Sequence, residues 1–267
     1  MRVLAIFLTT GVLAGPALAC GPDSDCMLGD RHYRIALPEK QDDGPVGAVV
    51  FAHGYRGSAA AVMQNQNLRK VVSDMGLALI ALKSADDDWV IPFAPRHVDS
   101  DGSVEFDYVE AVIEDAARRF PIDPKRMMAA GFSAGGMMVW NLACTMPERF
   151  AGFAAIAGTF WMKPPETCAT PVASLVHIHG TTDPTVPLAG RSILDTHQGD
   201  VAEALEMYQE LGGFSPSGET EFEDLECRNS RNAKGDVLDF CLHPGGHSFR
   251  SSYLRFAWER LQGTGQP

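Results

Sequence analysis

The sequence predicts an α/β fold in which helices cover both faces of a mostly parallel central sheet. Apolar stretches of strand length alternate with segments of helical period from about residue 46 to the C-terminus. The strand candidates are apolar without interruption, as in residues 46–52, which indicates burial on both faces of the sheet. We expect one domain, because no linker interrupts the 267 residues.

The predicted strands are of two kinds. Residues 31–37 alternate between apolar and polar side chains and are expected to form an edge strand. Residues 221–227 are expected to pair with residues 237–242 across a polar connection at 228–232. The other strands are continuously apolar and predict the buried sheet: 46–52, 76–82, 126–131, 151–157 and 173–179.

The predicted helices fill the intervals between these strands. Their apolar residues recur with helical spacing, which is typical of a helix that packs one face on a sheet. The helices are predicted over residues 59–75, 104–119, 134–145, 200–211 and 252–261.

The first 19 residues have the pattern of a secretory signal peptide. Arg2 precedes the apolar run 3–7, and small side chains at Ala17 and Ala19 form a cleavage site. A buried helix or a membrane anchor is the alternative, but the apolar run is shorter than the roughly twenty residues that span a bilayer. We therefore expect a mature domain over residues 20–267 and a secreted or periplasmic location.

The mature domain keeps all 6 cysteines of the chain, and an even number in an exported protein indicates disulfides. Six thiols can pair in many ways. The pairs that we expect are Cys20–Cys26, Cys144–Cys168 and Cys227–Cys241, the last of which would join two neighbouring strands. Lipidation of Cys20 is the alternative, although Ala17 stands where a lipoprotein signal usually has Leu.

The charge balance argues against partners with a negatively charged surface. Lys and Arg total 22 against 34 Asp and Glu, which gives a formal net charge of -12. Such a field repels a phosphate backbone and an anionic lipid surface. We expect neither nucleic acid nor a membrane as a partner.

The strongest chemical signal is the segment Gly131-Phe132-Ser133-Ala134-Gly135-Gly136, which lies between a predicted strand and a predicted helix. A serine on this sharp turn projects its hydroxyl above the sheet, and the flanking glycines leave room for it. Ser133 is therefore the candidate nucleophile. A serine that only caps the helix is the alternative.

A serine nucleophile needs a histidine base and an acid that orients the histidine. Asp183 is the candidate acid, because it follows the strand 173–179 at its carboxyl end, where catalytic groups gather in such sheets. Asp195 is its rival, and an Asp183 that only starts a turn before Pro184 is the alternative. His247 is the candidate base, since Gly245 and Gly246 give its loop freedom to cross the top of the sheet.

Four other residues complete the interpretation of the catalytic groups. His243 is the rival base, although it lies inside or at the edge of a strand, and His197 is expected to be a solvated loop residue. Two backbone N–H groups are expected to face a developing oxyanion. One belongs to Ala134, directly after the nucleophile, and the other to Tyr55, in the loop after the strand 46–52.

Four motifs resemble the polyhydroxybutyrate depolymerase and feruloyl esterase type of α/β-hydrolase. They are His53-Gly54, Gly131-Phe132-Ser133-Ala134-Gly135-Gly136-Met137, His179-Gly180 with Asp183 and Val186-Pro187, and Gly245-Gly246-His247-Ser248. The resemblance covers residues 31–261 and implies an α/β-hydrolase fold, a Ser133, Asp183 and His247 triad, esterase activity and no cofactor. The chain departs from the family at Ser248-Phe249-Arg250, where members often carry Trp-Pro, and we expect no polymer-binding domain.

Aromatic residues are the candidates for substrate contact. Trp89 and Trp161 follow predicted strands and could stack on a sugar or aryl acid, although packed aromatics are the alternative for both. No metal site is expected, because Asp86-Asp87-Asp88 lacks a nearby His or Glu and no CxxC pair occurs. Only residues 158–171 separate two strands where a lid would be inserted, so no cap domain is expected.

These observations favour a secreted or periplasmic serine esterase with a catalytic domain over residues 20–267. Hydroxyalkanoate oligomers or plant-type feruloyl and acetyl esters are the expected substrates, whether small, oligomeric or polymer-linked. A peptidase or lipase on the same fold and a catalytically silent binding protein are the alternatives. The absence of a predicted lid favours short acyl groups.

Overall fold

The computed structural model describes residues 20–40 and 44–263. Its main sheet has 10 strands in the order β1-β2-β4-β3-β5-β6-β7-β12-β11-β10, and β8 and β9 form a separate hairpin. The strands are β1 (Cys26–Leu28), β2 (Arg31–Ala36), β3 (Val46–Ala52), β4 (Ala78–Ala81), β5 (Ile122–Phe132), β6 (Gly152–Ile156), β7 (Leu175–Gly180), β8 (Arg191–Ile193), β9 (Thr196–Gln198), β10 (Ser215–Phe222), β11 (Leu225–Arg231) and β12 (Val237–His243).

Helices connect these strands and cover the sheet. They are α1 (Ala59–Gln64), α2 (Gln66–Asp74), α3 (Ser103–Arg119), α4 (Ala134–Thr145), α5 (Val201–Gly212) and α6 (Ser252–Gln262), with a short 3-10 helix at Pro147–Arg149. The six central strands β4, β3, β5, β6, β7 and β12 run parallel to one another, and β2 and β11 pair antiparallel with the two outer members of this group. The predicted α/β-hydrolase architecture is confirmed.

The core has two layers, one on each face of the sheet. Strand β3 shows the division, because Ala48 and Val50 pack on the layer with α3, α4 and α5, whereas Val49 and Phe51 pack on the layer with α1, α2 and α6. Both faces of the strand are therefore shielded from solvent. This explains why the strands are continuously apolar instead of alternating.

The structure corrects three predicted elements. The helix predicted over residues 59–75 is two helices, because Asn65 ends α1 and its side chain accepts a hydrogen bond from Leu68 N at the start of α2. The strand predicted over residues 31–37 is not the outermost, since β1 pairs outside it. The strand predicted over 221–227 contains a turn at Glu223, whose φ is 52°, and the predicted connection 228–232 lies largely in β11.

Three disulfides join Cys20 to Cys26, Cys144 to Cys168 and Cys227 to Cys241, which confirms the expected pairs. Cys227 and Cys241 lie opposite each other on β11 and β12. A disulfide thus occupies the Cys20 sulfur that lipidation would use. The predicted signal peptide, residues 1–19, lies outside the described residues.

Within residues 20–40 and 44–263, no helix is both long enough and apolar enough to cross a bilayer.

Candidate active site

Ser133 stands on the turn between β5 and α4. Its φ of 60° and ψ of -123° are strained for a residue with a side chain, and its N–H donates to Ile156 O at 2.9 Å. The glycines on either side allow this turn to pack closely. A Cβ at Gly131 would overlap Gly135 O, and a Cβ at Gly135 would overlap Ala52 O. The turn therefore requires the residue types of the predicted motif.

The structure brings Ser133, His247 and Asp183 together in one hydrogen-bonded series. His247 Nε2 lies 2.8 Å from Ser133 Oγ, and His247 Nδ1 lies 2.7 Å from Asp183 Oδ2. The Phe132 ring packs against the imidazole with ring centroids 4.7 Å apart. A histidine held in this way can accept the serine proton at Nε2 while the carboxylate keeps a proton on Nδ1.

Asp183 is held from both sides of its carboxylate. Its Oδ1 accepts hydrogen bonds from the N–H groups of Thr185 at 2.8 Å and Val186 at 2.9 Å, in the turn that follows β7. Its side chain has no exposed surface. The turn thus satisfies one carboxylate oxygen and leaves the other for His247, which fixes the direction of the acid.

Two further histidines form a buried chain beneath Asp183. Trp140 Nε1 donates to His177 Nδ1 at 3.2 Å, His177 Nε2 lies 3.0 Å from His179 Nδ1, and His179 Nε2 lies 2.7 Å from Val186 O. The tryptophan can only donate, so the protons of both rings must sit on Nε2. Burial lowers the pKa of both histidines, which keeps them neutral and suits this chain.

The loop after β3 lies directly beside the serine. A Cβ placed on Gly54 would stand 3.5 Å from Ser133 Cβ, and Tyr55 and Ala134 both line the cavity at Ser133. Ala134 is the first residue of α4, so its N–H has no acceptor within the helix. Within the part of the chain that the structure describes, no protein acceptor takes a hydrogen bond from Tyr55 N–H either. Both groups are available to a ligand oxygen.

Trp89 does not contact this cavity, which corrects the prediction that it binds substrate. Its side chain is fully buried, its Nε1 donates to His53 O at 2.9 Å, and its ring packs on His53 with centroids 5.0 Å apart. His53 Nε2 in turn accepts from Ser84 N at 3.2 Å. Burial lowers the pKa of His53 to about 4, so the ring is neutral in this role. Trp89 and His53 therefore support the Gly54–Tyr55 loop from below.

Trp161, in contrast, lines the cavity that contains Ser133. This cavity has a volume of about 300 Å³. Larger surface cavities of about 590, 590 and 460 Å³ contain none of Ser133, Asp183 and His247. The side chains around the smaller cavity are Tyr55, Asp88, Pro95, Arg96, Ser133, Ala134, Met137, Trp161, Thr185, Val186, Arg191, Ile193, Leu194 and Gln198.

The hairpin β8–β9 forms one wall of this cavity. Gln198 is bridged to Trp161, Met162 N donates to His197 O at 2.6 Å, and Thr196 Oγ1 donates to Phe93 O at 2.7 Å. These contacts tie the hairpin to two neighbouring loops. Leu194 at its tip is 80% exposed. The wall is therefore a short hairpin and not a helical cap.

Comparison with known proteins identifies the family of the chain. Residues 35–217, more than half of the 267 residues, match the phospholipase/carboxylesterase family. The chain belongs to that family. The matched region of this phospholipase/carboxylesterase includes Ser133 and Asp183, whereas His247 lies beyond it.

Relatives of this phospholipase/carboxylesterase include named esterases. It is 28% identical over 248 residues to a protein of Nocardia uniformis subsp. tsuyamanensis named as an esterase, NocK, and the match covers 82% of this chain and 70% of that protein. It is 25% identical over 198 residues to a protein of Aspergillus niger named as feruloyl esterase C, over 70% of each chain. These relatives confirm the resemblance to esterases of the feruloyl type.

Solved structures show the same fold. An acetyl xylan esterase from Aspergillus awamori superposes with a TM-score of 0.64 at 12% identity, covering 91% of this chain and 96% of that one. A Bacillus cereus carboxylesterase gives 0.56 at 12% identity, over 88% and 95% of the two chains. This phospholipase/carboxylesterase is therefore an esterase-type α/β-hydrolase that acts on carboxylic esters.

The remaining candidates lie away from the serine of this esterase. His243 is buried against Tyr253 with ring centroids 5.8 Å apart, and burial lowers its pKa. Asp195 and His197 lie on the β8–β9 hairpin, and neither bonds His247 or Ser133. No cluster of three or more His, Cys, Asp or Glu side chains in residues 20–40 and 44–263 is arranged to hold a metal ion.

Sequence reasoning missed the residues that shape the cavity. Asp88, Arg96, Arg191 and Gln198 occupy loops and a hairpin of three-residue strands, where no periodic pattern marks them. The weak signal that was present is the placement of Asp88 and Arg96 in a long loop after a buried strand, where ligand contacts concentrate.

Proposed function

We propose that this esterase hydrolyses carboxylic esters through an acyl-enzyme, with Ser133 as nucleophile, His247 as general base and Asp183 as the acid that orients the base. The observation that supports the proposal is the unbroken series Asp183 Oδ2, His247 Nδ1, His247 Nε2 and Ser133 Oγ, with contacts of 2.7 and 2.8 Å, at the edge of a cavity. Each group has one role that its neighbours enforce.

The reaction follows from these positions. Ser133 Oγ adds to the ester carbonyl carbon as its proton passes to His247 Nε2. The imidazolium then gives that proton to the departing alcohol as the C–O bond breaks, which leaves an acyl group on Ser133. Water, deprotonated by the same nitrogen, adds to the acyl carbon and releases the acid. Asp183 stays ionised and stabilises the charged imidazolium.

The N–H groups of Tyr55 and Ala134 are proposed to bind the oxyanion of the tetrahedral intermediates. Both residues line the cavity that contains Ser133, Tyr55 in the loop after β3 and Ala134 at the N-terminus of α4, where the helix dipole favours negative charge. Each such donor contributes about 3 kcal/mol to transition-state stabilisation in serine hydrolases.

We propose that the preferred esters have short acyl groups and that hydroxyalkanoate oligomers or feruloyl and acetyl esters are the natural class. A cavity of about 300 Å³ is at the small end for a ligand site, and it gives a long acyl tail little wall. Trp161 is suited to stack on an aryl or sugar group at this cavity.

A secreted or periplasmic location is part of the proposal. Three disulfides support it, because such bonds persist in oxidising compartments. N-terminal sequencing of the protein exported from its own cells is expected to begin at Cys20. Retention of residues 1–19 on the exported protein would contradict the proposed signal peptide.

The decisive test of the chemistry is covalent labelling with a fluorophosphonate. The wild-type protein should gain one phosphonyl group per chain, on the peptide that contains Ser133, and Ser133→Ala should gain none. Ser192→Ala, a change on the exposed β8 strand, serves as the matched control and should label fully. A wild-type chain that does not label would support the catalytically silent alternative.

A further inference from the structure

Two arginines line the same cavity as Ser133. Arg96 lies in the loop between β4 and α3, and Arg191 begins β8. The chain carries a formal net charge of -12, so two cations at one small cavity reverse the overall charge locally. Such a reversal is typical of a site that receives an anion.

Arg191 is held in place without an acidic partner. Its Nε donates to Gln198 Oε1 at 3.2 Å, and Gln198 pairs with it across the β8–β9 hairpin and is 5% exposed. No carboxylate of residues 20–40 and 44–263 lies within ion-pair distance of Arg191. The neutral amide thus positions the guanidinium and leaves its charge unpaired by protein.

Arg96 has only a distant acid. Its Nη1 lies 3.8 Å from Asp87 Oδ2, and Arg56 Nε lies 3.5 Å from the same oxygen. Asp87 is 52% exposed, and exposed ion pairs of this length are weak, so a ligand carboxylate can replace Asp87. Arg96 also has a φ of 79°, a conformation that disfavours long side chains. Residues in such conformations cluster at ligand sites.

One acid belongs to the cavity as well. Asp88 is the single Asp or Glu among the described residues that line it, and its Oδ1 accepts a hydrogen bond from Trp89 N at 2.9 Å. Burial raises its pKa, while the charge of Arg96 opposes that change. The cavity therefore carries two guanidinium groups against one carboxyl.

We propose that Arg96 and Arg191 select esters that carry a free carboxylate on the acyl part or on the alcohol part. This inference rests on the proposed function, since it assumes that Ser133 attacks the ester in this cavity. Guanidinium groups bind carboxylates through paired hydrogen bonds, and among the described residues only Nε of Arg191 has a hydrogen-bond partner, Gln198 Oε1. A cavity of about 300 Å³ that receives both groups suits compact substrates, in which the carboxylate and the ester are a few bonds apart.

The substrate class is therefore half-esters of short dicarboxylic acids and hydroxy acids that are acylated on their hydroxyl group and keep a free carboxylate. In both, hydrolysis adds water across the ester C–O bond and converts a monoanionic ester into two products, an acid and an alcohol, one of which carries the original carboxylate. A linear oligomer of hydroxy acids ends in the same group. Recognition of that end would direct cleavage to the last ester bond of such a chain.

The test compares two matched pairs of esters. Methyl hydrogen succinate is compared with methyl butyrate for a carboxylate on the acyl part, and 4-acetoxybenzoate with phenyl acetate for one on the alcohol part. The value of kcat/KM is measured at about pH 8, where carboxylates are ionised, for the wild type, Arg96→Gln, Arg191→Gln and Asp88→Asn. Arg228→Gln, a change on β11 away from the cavity, is the control.

The two arginine variants should lower kcat/KM for the carboxylate ester of at least one pair by about ten- to a hundredfold, the range for a lost hydrogen bond to a charged group. The neutral ester should change by less than about twofold, which also shows that the variant is folded. Asp88→Asn should raise the carboxylate preference, and Arg228→Gln should leave it unchanged.

Two outcomes separate this inference from the proposed function. A wild-type protein that hydrolyses none of the four esters contradicts the proposed function itself. Suppose instead that the wild type hydrolyses the esters and that the arginine variants lower kcat/KM equally for both members of each pair, or for neither. That result overturns the carboxylate preference and leaves the esterase mechanism in place.

Discussion

The floor and the rim of the site are built differently. The floor consists of Ser133, Asp183 and His247, which lie in the turns and the loop that follow β5, β7 and β12 and are joined at 2.7 and 2.8 Å. The rim consists of the loop 86–98 and the β8–β9 hairpin, where Phe93 and Leu194 are 46% and 80% exposed. The floor is fixed by the sheet, whereas the rim is fixed by a few hydrogen bonds between loops.

This difference separates chemistry from selection. Residues at strand ends inherit the rigidity of a packed core, so they suit a reaction that tolerates little displacement. Residues on a short exposed hairpin can change without disturbing the sheet, so they suit the choice of substrate. Changes in the floor should therefore remove activity with all esters, and changes in the rim should redistribute activity among them.

The largest expected effect is in the floor. Ser133→Ala and His247→Ala should each lower kcat by at least about 10⁴-fold with every ester tested, because members of such a series act as a unit. The double variant should lose no more than either single change. Steady-state kinetics check this, with Arg228→Gln, a change on β11 away from the cavity, as the control. Strong activity in His247→Ala combined with loss in His243→Ala would move the base to His243.

The second prediction concerns the three buried histidines near the site, which are His53 under the Gly54–Tyr55 loop and His177 and His179 beneath Asp183. Burial lowers the pKa of His53 to about 4 and lowers those of His177 and His179, while the unfolded chain protonates near the usual value of about 6.5. The unfolded state then binds more protons below that pH. The contribution of these histidines to the free energy of unfolding should therefore be complete above about pH 6.5. On acidification below that pH, the free energy of unfolding should fall by roughly 1.4 kcal/mol per pH unit per histidine.

Urea denaturation at several pH values measures this slope. His53→Gln should reduce the slope by the equivalent of about one proton. A free energy of unfolding that stays constant from about pH 7 to about pH 5 would contradict the assignment of neutral buried histidines.

Much of the floor could be predicted from the sequence, and little of the rim. The turn at Ser133 admits only glycine at 131 and 135, so the residue types at these positions predict the turn. Ser133, Asp183 and His247 come after β5, β7 and β12, so their order along the chain follows the order of those strands. The rim has no such constraint. Strands β8 and β9 have three residues each, too few for a periodic pattern.

The burial of Trp89 and the pairing of β10 show why the sequence could not predict the rest. Trp89 follows a strand at the site, but its burial depends on the His53 ring, which is distant in sequence. Strand β10 is an exposed edge strand with Pro216 and Gly218, so it carries no apolar signal, and its pairing depends on β11. In each case a tertiary neighbour determines the outcome.

The third prediction tests the boundary between floor and rim. Trp89→Phe keeps a ring against His53 but removes the Nε1 hydrogen bond to His53 O, which loosens the loop that carries Tyr55. The value of kcat should fall by about tenfold with little change in KM, less than the loss of an oxyanion donor itself. Trp161→Phe should instead change KM and the preference among alcohols. A Trp89→Phe variant with altered preference and full kcat would place Trp89 with the rim.

The smallest expected effect is at the tip of the rim. Leu194→Ser removes an exposed apolar side chain from the cavity wall, and surface changes of this kind alter stability by less than about 0.5 kcal/mol. The kcat/KM for an acetate ester should stay within about twofold, while that for a hexanoate ester should fall about threefold, since less than one buried methylene is lost. Equal changes for both esters would contradict the separation of rim and floor.

The most direct test of the account is to trap the acyl-enzyme. The wild-type protein is mixed with 4-nitrophenyl acetate, quenched in acid during turnover and digested for peptide mass mapping. The account predicts an acetyl group on the peptide that contains Ser133, together with a burst of nitrophenol that matches the enzyme concentration when deacylation is the slower step. It predicts neither signal in Ser133→Ala. Full turnover in Ser133→Ala, or an acetyl group on any other residue that forms and decays at the rate of turnover, would contradict it.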